Sequence, residues 1–326
     1  MIDRKQPIFL YLILPAYNEE EILEQNIQIL TEYFAELTDR REITPESRIL
    51  FVDDGSTDRT WEILSEGHRK AQMVEGIRLA RNEGHQIALY AGMEEGFRRG
   101  AQAVITMDAD LQQDVYAIPR FLAAYREGAE IVNGVRSSRK TDTLFKRKTA
   151  SLFYRIMRLF GCEIIPNSAD YRLLSRMALE ALLQYEERDL FIRGLVPALG
   201  FKTAIVEFDV HERSGGKSKY TFRKMTGLAV AGITSFTIRP IRMILALGAL
   251  ILVVSGFVMI HILWDYFYGY TVSGWASILA SIWMLGGLTL FSIGVVGEYV
   301  GKTYMESKKR PKYYVAEKLS MEEEEE

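Results

Sequence analysis

Five short apolar runs, each followed by a longer stretch of mixed polarity, fill roughly the first 135 residues and constrain the fold more than any other feature. The runs are Phe9 to Leu14, Arg48 to Val52, Gly76 to Leu79, Ala103 to Met107 and Glu130 to Asn133. Each has the length of a buried strand and is too short for an ordinary helix. Between them Ile22, Leu23, Ile27, Leu30, Phe34 and Leu37 recur at the spacing of one helix face, as do apolar positions in Trp61 to Met73, Ile87 to Phe97 and Val115 to Tyr125. That alternation predicts an α/β domain, a mostly parallel sheet covered by helices on both faces. At 326 residues and 48% hydrophobic content the chain has ample material for the core.

The polar residues fall at informative places. The first run leads into Pro15-Ala16-Tyr17-Asn18-Glu19, the second into Asp53-Asp54-Gly55-Ser56, and the fourth into Asp108-Ala109-Asp110-Leu111-Gln112. All three clusters are expected at carboxyl ends of parallel strands, where open α/β sheets form their ligand crevice. An acidic crevice repels a phosphorylated ligand unless a divalent cation intervenes, so the carboxylates imply Mg²⁺ or Mn²⁺ between protein and phosphate oxygens. Asp108 and Asp110 share a face if the segment is extended, and Asp110 is the first choice of metal ligand. Asp53, Asp54 and Glu19 lie farther from phosphate in this picture and suit base or ribose recognition. For Ser56 and Asp58 a helix-capping role is as good a reading as a functional one.

A net charge of −3 argues against general nucleic-acid binding. The single cysteine, Cys162, excludes an intrachain disulfide and a cysteine-cluster metal site. Against that background the stretch Arg136 to Arg158 is locally basic, with Arg136, Arg139, Lys140, Lys146, Arg147, Lys148, Arg155 and Arg158 against Asp142 alone. It is an anion site or a solvated helix face. Within it Leu152, Phe153, Ile156, Met157 and Phe160 form an apolar helix face, suited to a membrane surface or to an ordinary core. Asp170 stands in the polar break Asn167 to Arg172, ahead of a helix expected over Leu173 to Leu183. His211 to Tyr220 combines two glycines with cations in a flexible loop. His85 and His211 lack metal-ligand partners at recognisable spacing and read as structural or donor-loop residues.

Composition changes near Pro240. Met243 to Trp264 and Ala276 to Gly297 carry no charge, and each is about 22 residues or roughly 33 Å of helix, the thickness of a bilayer's hydrocarbon core. Lys and Arg flank the pair on its outer sides and are missing between them, which predicts two transmembrane helices with both termini cytoplasmic at the inner (plasma) membrane. Gly286, Gly287, Gly294 and Gly297 suit close packing within or between subunits, the basis for expecting a homo-oligomer. The expected organisation is a catalytic domain over 1–220, a juxtamembrane helix over 221–240, two transmembrane helices within 241–300 and a cytoplasmic charged tail over 301–326.

The three loop motifs, in this order and ahead of two apolar stretches, resemble the family 2 glycosyltransferases with the GT-A fold. Among these the chain looks most like the polyprenyl-phosphate glycosyltransferases, the group of bactoprenol glucosyltransferases and dolichyl-phosphate mannose synthases. The resemblance implies inverting transfer of a sugar from a nucleotide diphosphate, UDP-glucose by default, to a polyprenyl phosphate. It places Pro15, Tyr17, Glu19, Asp53, Asp54 and Asp108 at the donor nucleotide, and Asp108, Asp110 and Gln112 around the metal. It puts Arg136, Arg147 and Ser151 at the acceptor phosphate, with Asp170, Asp110, Arg213 and Lys219 in catalytic roles. One departure is Gln113-Asp114-Val115, where relatives often carry an acidic or polar residue and two prolines. A processive polysaccharide synthase is an alternative on the same fold, but its Gln-x-x-Arg-Trp motif is missing. A noncatalytic nucleotide-sugar-binding scaffold is the other.

Overall fold

Strand β1, Leu10–Ala16, is apolar along nearly its whole length and buried on both faces, which makes it central to the sheet. The computed structural model of the protein describes residues 7–137, 168–187, 190–209 and 274–320, with part of 241–268. After β1 come α1 (Leu23–Asp39), β2 (Arg48–Asp53), α2 (Thr60–Lys70), β3 (Val74–Leu79), α3 (His85–Arg98) and β4 (Ala103–Thr106). A short 3-10 turn, Val115–Ala117, leads into α4 (Ile118–Arg126), then β5 (Ile131–Arg136). Beyond are β6 (Ser168–Ser175), α5 (Arg176–Leu183), α6 (Ile192–Ala198), β7 (Thr203–Phe208), α7 (Trp275–Ser307) and β8 (Val315–Leu319).

The helix faces follow the apolar spacing. Helix α1 buries Leu23, Ile27, Leu30, Phe34 and Leu37 against the sheet, the positions the period selects. Helix α3 comes closer still, because small residues line its inner face. A Cβ on Gly92 would lie 2.3 Å from the Ile13 side chain and 3.0 Å from that of Val52.

Eight strands form one sheet in the order β7-β5-β6-β4-β1-β2-β3-β8. Pairs β1/β2, β1/β4, β2/β3 and β5/β7 are parallel, whereas β6 runs antiparallel to β4 and β5, and β8 antiparallel to β3. The sheet is therefore mixed. The expected mostly parallel GT-A sheet is corrected to an α/β unit whose antiparallel strands come from segments that carry little strand signal. Residues 168–175 were expected as a polar break and the start of a helix. They form β6, because Asp170 and Arg172 pair with charged partners inside the fold while Tyr171, Leu173 and Leu174 fill the core. Within the expected charged tail, α7 continues to Ser307 and Val315–Leu319 pairs as an edge strand; 321–326 lie outside the described residues.

The two expected transmembrane helices are likewise corrected. Among the described residues no helix is long and apolar enough to cross a membrane. The stretch Met243 to Trp264 is described only in part. Helix α7 spans Trp275–Ser307 and carries Glu298, Lys302 and Glu306 in its last third. Leu290, Phe291 and Ile293 on this helix are exposed. The multi-pass, plasma-membrane location drawn from those spans goes with them.

The chain divides into two compact units, one of Met1–Arg155, Glu163–Met225 and Pro311–Glu326, the other of Ile156–Cys162 and Thr226–Arg310. The mixed sheet belongs to the first. Because α3 seats directly on β1 and β2, replacing Gly92 with Ala is expected to destabilise that unit by about 1–3 kcal/mol through overpacking. A lowered urea midpoint at unchanged slope is the expected reading.

Candidate active site

The loops leaving the carboxyl ends of β1 and β2 are fastened to each other by short polar groups. Asn18 adopts φ 53°, a left-handed conformation that Asn tolerates better than most side chains. Its amide donates to Ser56 Oγ at 3.0 Å, and its side-chain oxygen accepts from the Thr57 amide at 2.9 Å. The Glu19 amide donates to Thr60 Oγ1 at 3.0 Å. Gly55 turns at φ 67°, and a Cβ there would stand 2.5 Å from the Arg81 carbonyl carbon, so the position admits only glycine.

The two aspartates of the second loop are buried and occupied. Asp53 Oδ1 accepts from the Ser56 amide at 2.9 Å, while its Oδ2 makes no hydrogen bond and faces Arg78 Nε at 3.5 Å. Burial pushes its carboxyl up, against the pull of Ser56 and Arg78. Asp54 accepts from the Glu83 and Gly84 amides, one on each oxygen, at 2.8 and 2.9 Å. Burial raises this carboxyl too, against those two amides. Asp54 thereby holds the loop whose next residue, His85, opens α3.

After β4 the acidic loop closes on itself. The Asp108 amide donates to Gln113 Oε1 at 3.1 Å, and Gln113 Nε2 returns a bond to Asp108 Oδ2 at 2.7 Å. The Gln112 amide donates to Asp110 Oδ1 at 3.2 Å, and Asn26 of α1 donates to the Ala109 carbonyl at 2.8 Å. Leu111 is held at φ 49°, a conformation that costs a bulky residue roughly 1–2 kcal/mol. Strain of this kind persists where surrounding contacts over-determine the backbone, which the Gln113 and Asn26 bonds do here.

Asp170, on β6, is the most heavily paired acid of the region. Arg193 grips it as a fork, Nε to Oδ1 at 3.0 Å and Nη2 to Oδ2 at 2.8 Å, and Arg172 Nη2 adds a bond to Oδ1 at 2.9 Å. His85 Nε2 lies 3.3 Å from Asp170 Oδ2 and 3.7 Å from Asp108 Oδ1, and so joins the two carboxylates. Burial by itself would raise the Asp170 carboxyl. The Arg193 charge, the His85 hydrogen bond and the Arg172 charge outweigh it and hold the group well below the usual carboxylate range. His85 shows the converse balance: burial pulls the imidazole down, and Asp170 and Asp108 raise it further than that. Burial raises Asp108, His85 opposes, and the charges of Asp170 and Asp110 add to the rise.

Pro15 lies near the end of β1, and Tyr17 and Glu19 on the loop that follows, with Tyr17 exposed. Asp108, Asp110 and Gln112 are partly open on the acidic loop, whereas Asp53 and Asp54 are buried beneath the second. Arg136 ends β5 and is exposed. Arg147, Ser151, Arg213 and Lys219 lie outside the described residues. His85, Arg172 and Arg193 join Asp170 without having been singled out as its partners. The alternation Asp170-Tyr171-Arg172 offered a signal for Arg172, since residues two apart share a strand face. Arg193, 23 positions from Asp170, offered none.

Among the described residues no group of three or more His, Cys, Asp or Glu side chains is set to hold a metal ion. The acidic loop nevertheless fits a hard divalent cation that arrives with a phosphorylated ligand. Such ions take one or two protein carboxylates and complete their shell with phosphate oxygens and water, and Asp108 remains 37% exposed.

The Glycosyl transferase family 2 profile matches residues 11–183. The uncharacterized glycosyltransferase YkoT of Bacillus subtilis (strain 168) is 46% identical, over 96% of this chain and 93% of its own length. The bactoprenol glucosyl transferase of Shigella phage SfV is 36% identical, over 93% of this chain and 97% of its own. Among solved structures, the mannosyltransferase PcManGT of Pyrobaculum calidifontis, in complex with GDP-Man and Mn²⁺, superposes with a TM-score of 0.48 at 14% identity, over 73% of this chain and 66% of that one.

The chain has four histidines, so their titration is resolvable by NMR. Asp170→Asn removes the carboxylate that most raises the His85 imidazole, and its midpoint is expected to fall. An unchanged His85 titration would contradict the pairing.

Proposed function

The chain belongs to the family 2 glycosyltransferases, and we propose that it transfers glucose from UDP-glucose to a polyprenyl phosphate with inversion at the anomeric carbon. One observation carries this reading: a partly open acidic loop, two interlocked loops at neighbouring strand ends, and the Asp170 ion network all meet at the same end of the sheet. The bactoprenol glucosyl transferases to which the chain is 36–37% identical support the glucosyl donor and the polyprenyl acceptor.

Each residue then has work suited to its surroundings. Tyr17 and Glu19 border the donor base and ribose. Asp53 and Asp54 act beneath them, Asp53 by holding the Ser56 turn and Asp54 by holding the Glu83–Gly84 amides. Asp108, Asp110 and Gln112 would hold Mg²⁺ or Mn²⁺, which supplies Lewis-acid stabilisation of the leaving diphosphate. Arg213 and Lys219 add positive charge to the same leaving group. Arg136, Arg147 and Ser151 bind the acceptor phosphate.

Asp170 is poorly suited to general-base work, because an efficient base has a pKa near the working pH and this carboxylate sits far below it. The acceptor does not need one. A phosphate monoester with a second pKa near 6 is largely dianionic at neutral pH and is already a nucleophile. Asp170 instead orders Arg193 and His85 beside the acidic loop, where their charge offsets that of Asp108 and the incoming phosphates.

Purified chain with Mg²⁺ or Mn²⁺, polyprenyl phosphate and a panel of nucleotide sugars tests the assignment, with UDP-glucose expected to give a lipid-linked glucose. Asp110→Asn should lower transfer at least ~100-fold, the scale of losing a principal electrostatic contact, at unchanged melting temperature. Full activity in that variant sinks the metal assignment. Arg136→Ala should raise the KM for polyprenyl phosphate and leave that for the nucleotide sugar alone; equal effects on both would remove Arg136 from the acceptor site.

A further inference from the structure

The segment after α7 returns to the catalytic sheet and places a charge against the donor loops. Strand β8 pairs antiparallel with β3, with Glu317 opposite Arg78, and on the other side of β3 Arg78 is opposite Asp53 of β2. Asp53, Arg78 and Glu317 thus form a lateral ladder of alternating charge across three strands, the arrangement in which cross-strand side chains interact directly. Arg78 Nη1 donates to Glu317 Oε1 at 2.7 Å, its Nε stands 3.5 Å from Asp53 Oδ2, and its Nη2 donates to the Ser56 carbonyl at 3.4 Å. Glu317 is anchored in turn by Trp61, whose indole Nε1 donates to Oε2 at 2.9 Å, and the guanidinium lies 5.9 Å from the Trp61 ring centroid.

Arg78 therefore meets both the buried carboxylate that shapes the second loop and the Ser56 turn on which Asn18 and the first loop hang. The Asp53 oxygen nearest the guanidinium has no hydrogen bond of its own. Its surroundings depend on where the guanidinium is held, and the Glu317 bond, much the shortest of the three that Arg78 makes, does that holding. We propose that Arg78 is a positioning residue for the donor loops and that Glu317 clamps it, so that the C-terminal strand is a working part of the donor nucleotide site. This rests on the reading above, in which those loops bind the nucleotide. Glu317 touches no substrate in it and acts only through Arg78.

Isothermal titration of the full chain with UDP and GDP in the presence of Mg²⁺, paired with melting temperatures, tests the proposal. Glu317→Gln keeps an acceptor for Trp61 and removes the charge, and it should weaken nucleotide binding about threefold to fivefold, the scale of a well-formed but partly exposed ion pair. It should raise the donor KM and leave the acceptor KM unchanged. In the double variant R78M/E317Q the second change should add nothing to R78M. The control Y313F/K318M removes the bonds of Tyr313 to Glu94 and of Lys318 to Glu95, which tie the same segment down without touching Arg78. Its nucleotide affinity should match the unsubstituted chain. Equal binding by Glu317→Gln and the unsubstituted chain overturns the proposal, and so does an equal loss in Y313F/K318M, which would reduce the effect to strand docking. If the unsubstituted chain binds neither UDP nor GDP, the donor-site reading fails and takes the proposal with it.

Discussion

The catalytic end of the sheet depends on one buried carboxylate. Asp170 projects from β6, flanked by β4 and β5, and its partners are Arg172 on the same strand, Arg193 on α6 and His85 at the start of α3. Removing one partner from such a group leaves a buried charge uncompensated, which is costly, although an apolar replacement of the whole group can be neutral. The network is therefore better understood as fixing geometry than as adding stability. It ties the strand, the helix start and the acidic loop to one another.

The same network has an intrinsic pH window. Asp170 is depressed in the folded chain, so its contribution is present above the usual carboxylate value of about 4 and is lost as pH falls through the lower folded value. His85 is raised, so its contribution is complete below the usual imidazole value of about 6.5 and is lost as pH rises through the higher folded value. Between those limits Asp170 is charged and His85 protonated, and the bridge between them is at full strength. Above them the bridge fades while Arg193 and Arg172 keep Asp170 paired.

Legibility followed burial pattern. The first five strands and the helices between them were readable because apolar residues recur at one clear period, and α1 buries the residues that period selects. Strand β6 hid behind Asp170 and Arg172, which look like a loop because nothing local announces that their partners are Arg193 and His85. Strand β8 hid behind its charges: Glu317 and Lys318 fall in the expected charged tail and are instead tied to Arg78 and Glu95. The expected spans failed for a different reason. Hydropathy counts apolar residues along the chain, whereas crossing a bilayer needs them along one long apolar helix, and among the described residues no helix meets both requirements. The acidic motifs were visible, but not the division of labour within them, since Asp54 differs from Asp110 only in which backbone amides come within reach.

That division has a consequence for how the donor side is built. Asp54 is buried with each oxygen on a backbone amide and serves by holding a loop. Asp53 keeps one oxygen without a hydrogen bond, balanced only by Arg78. Arg78 is shared with Glu317, so the electrostatics beneath the first two loops are set by the far end of the chain. Strand β8 thus adjusts groups that the first two strands carry.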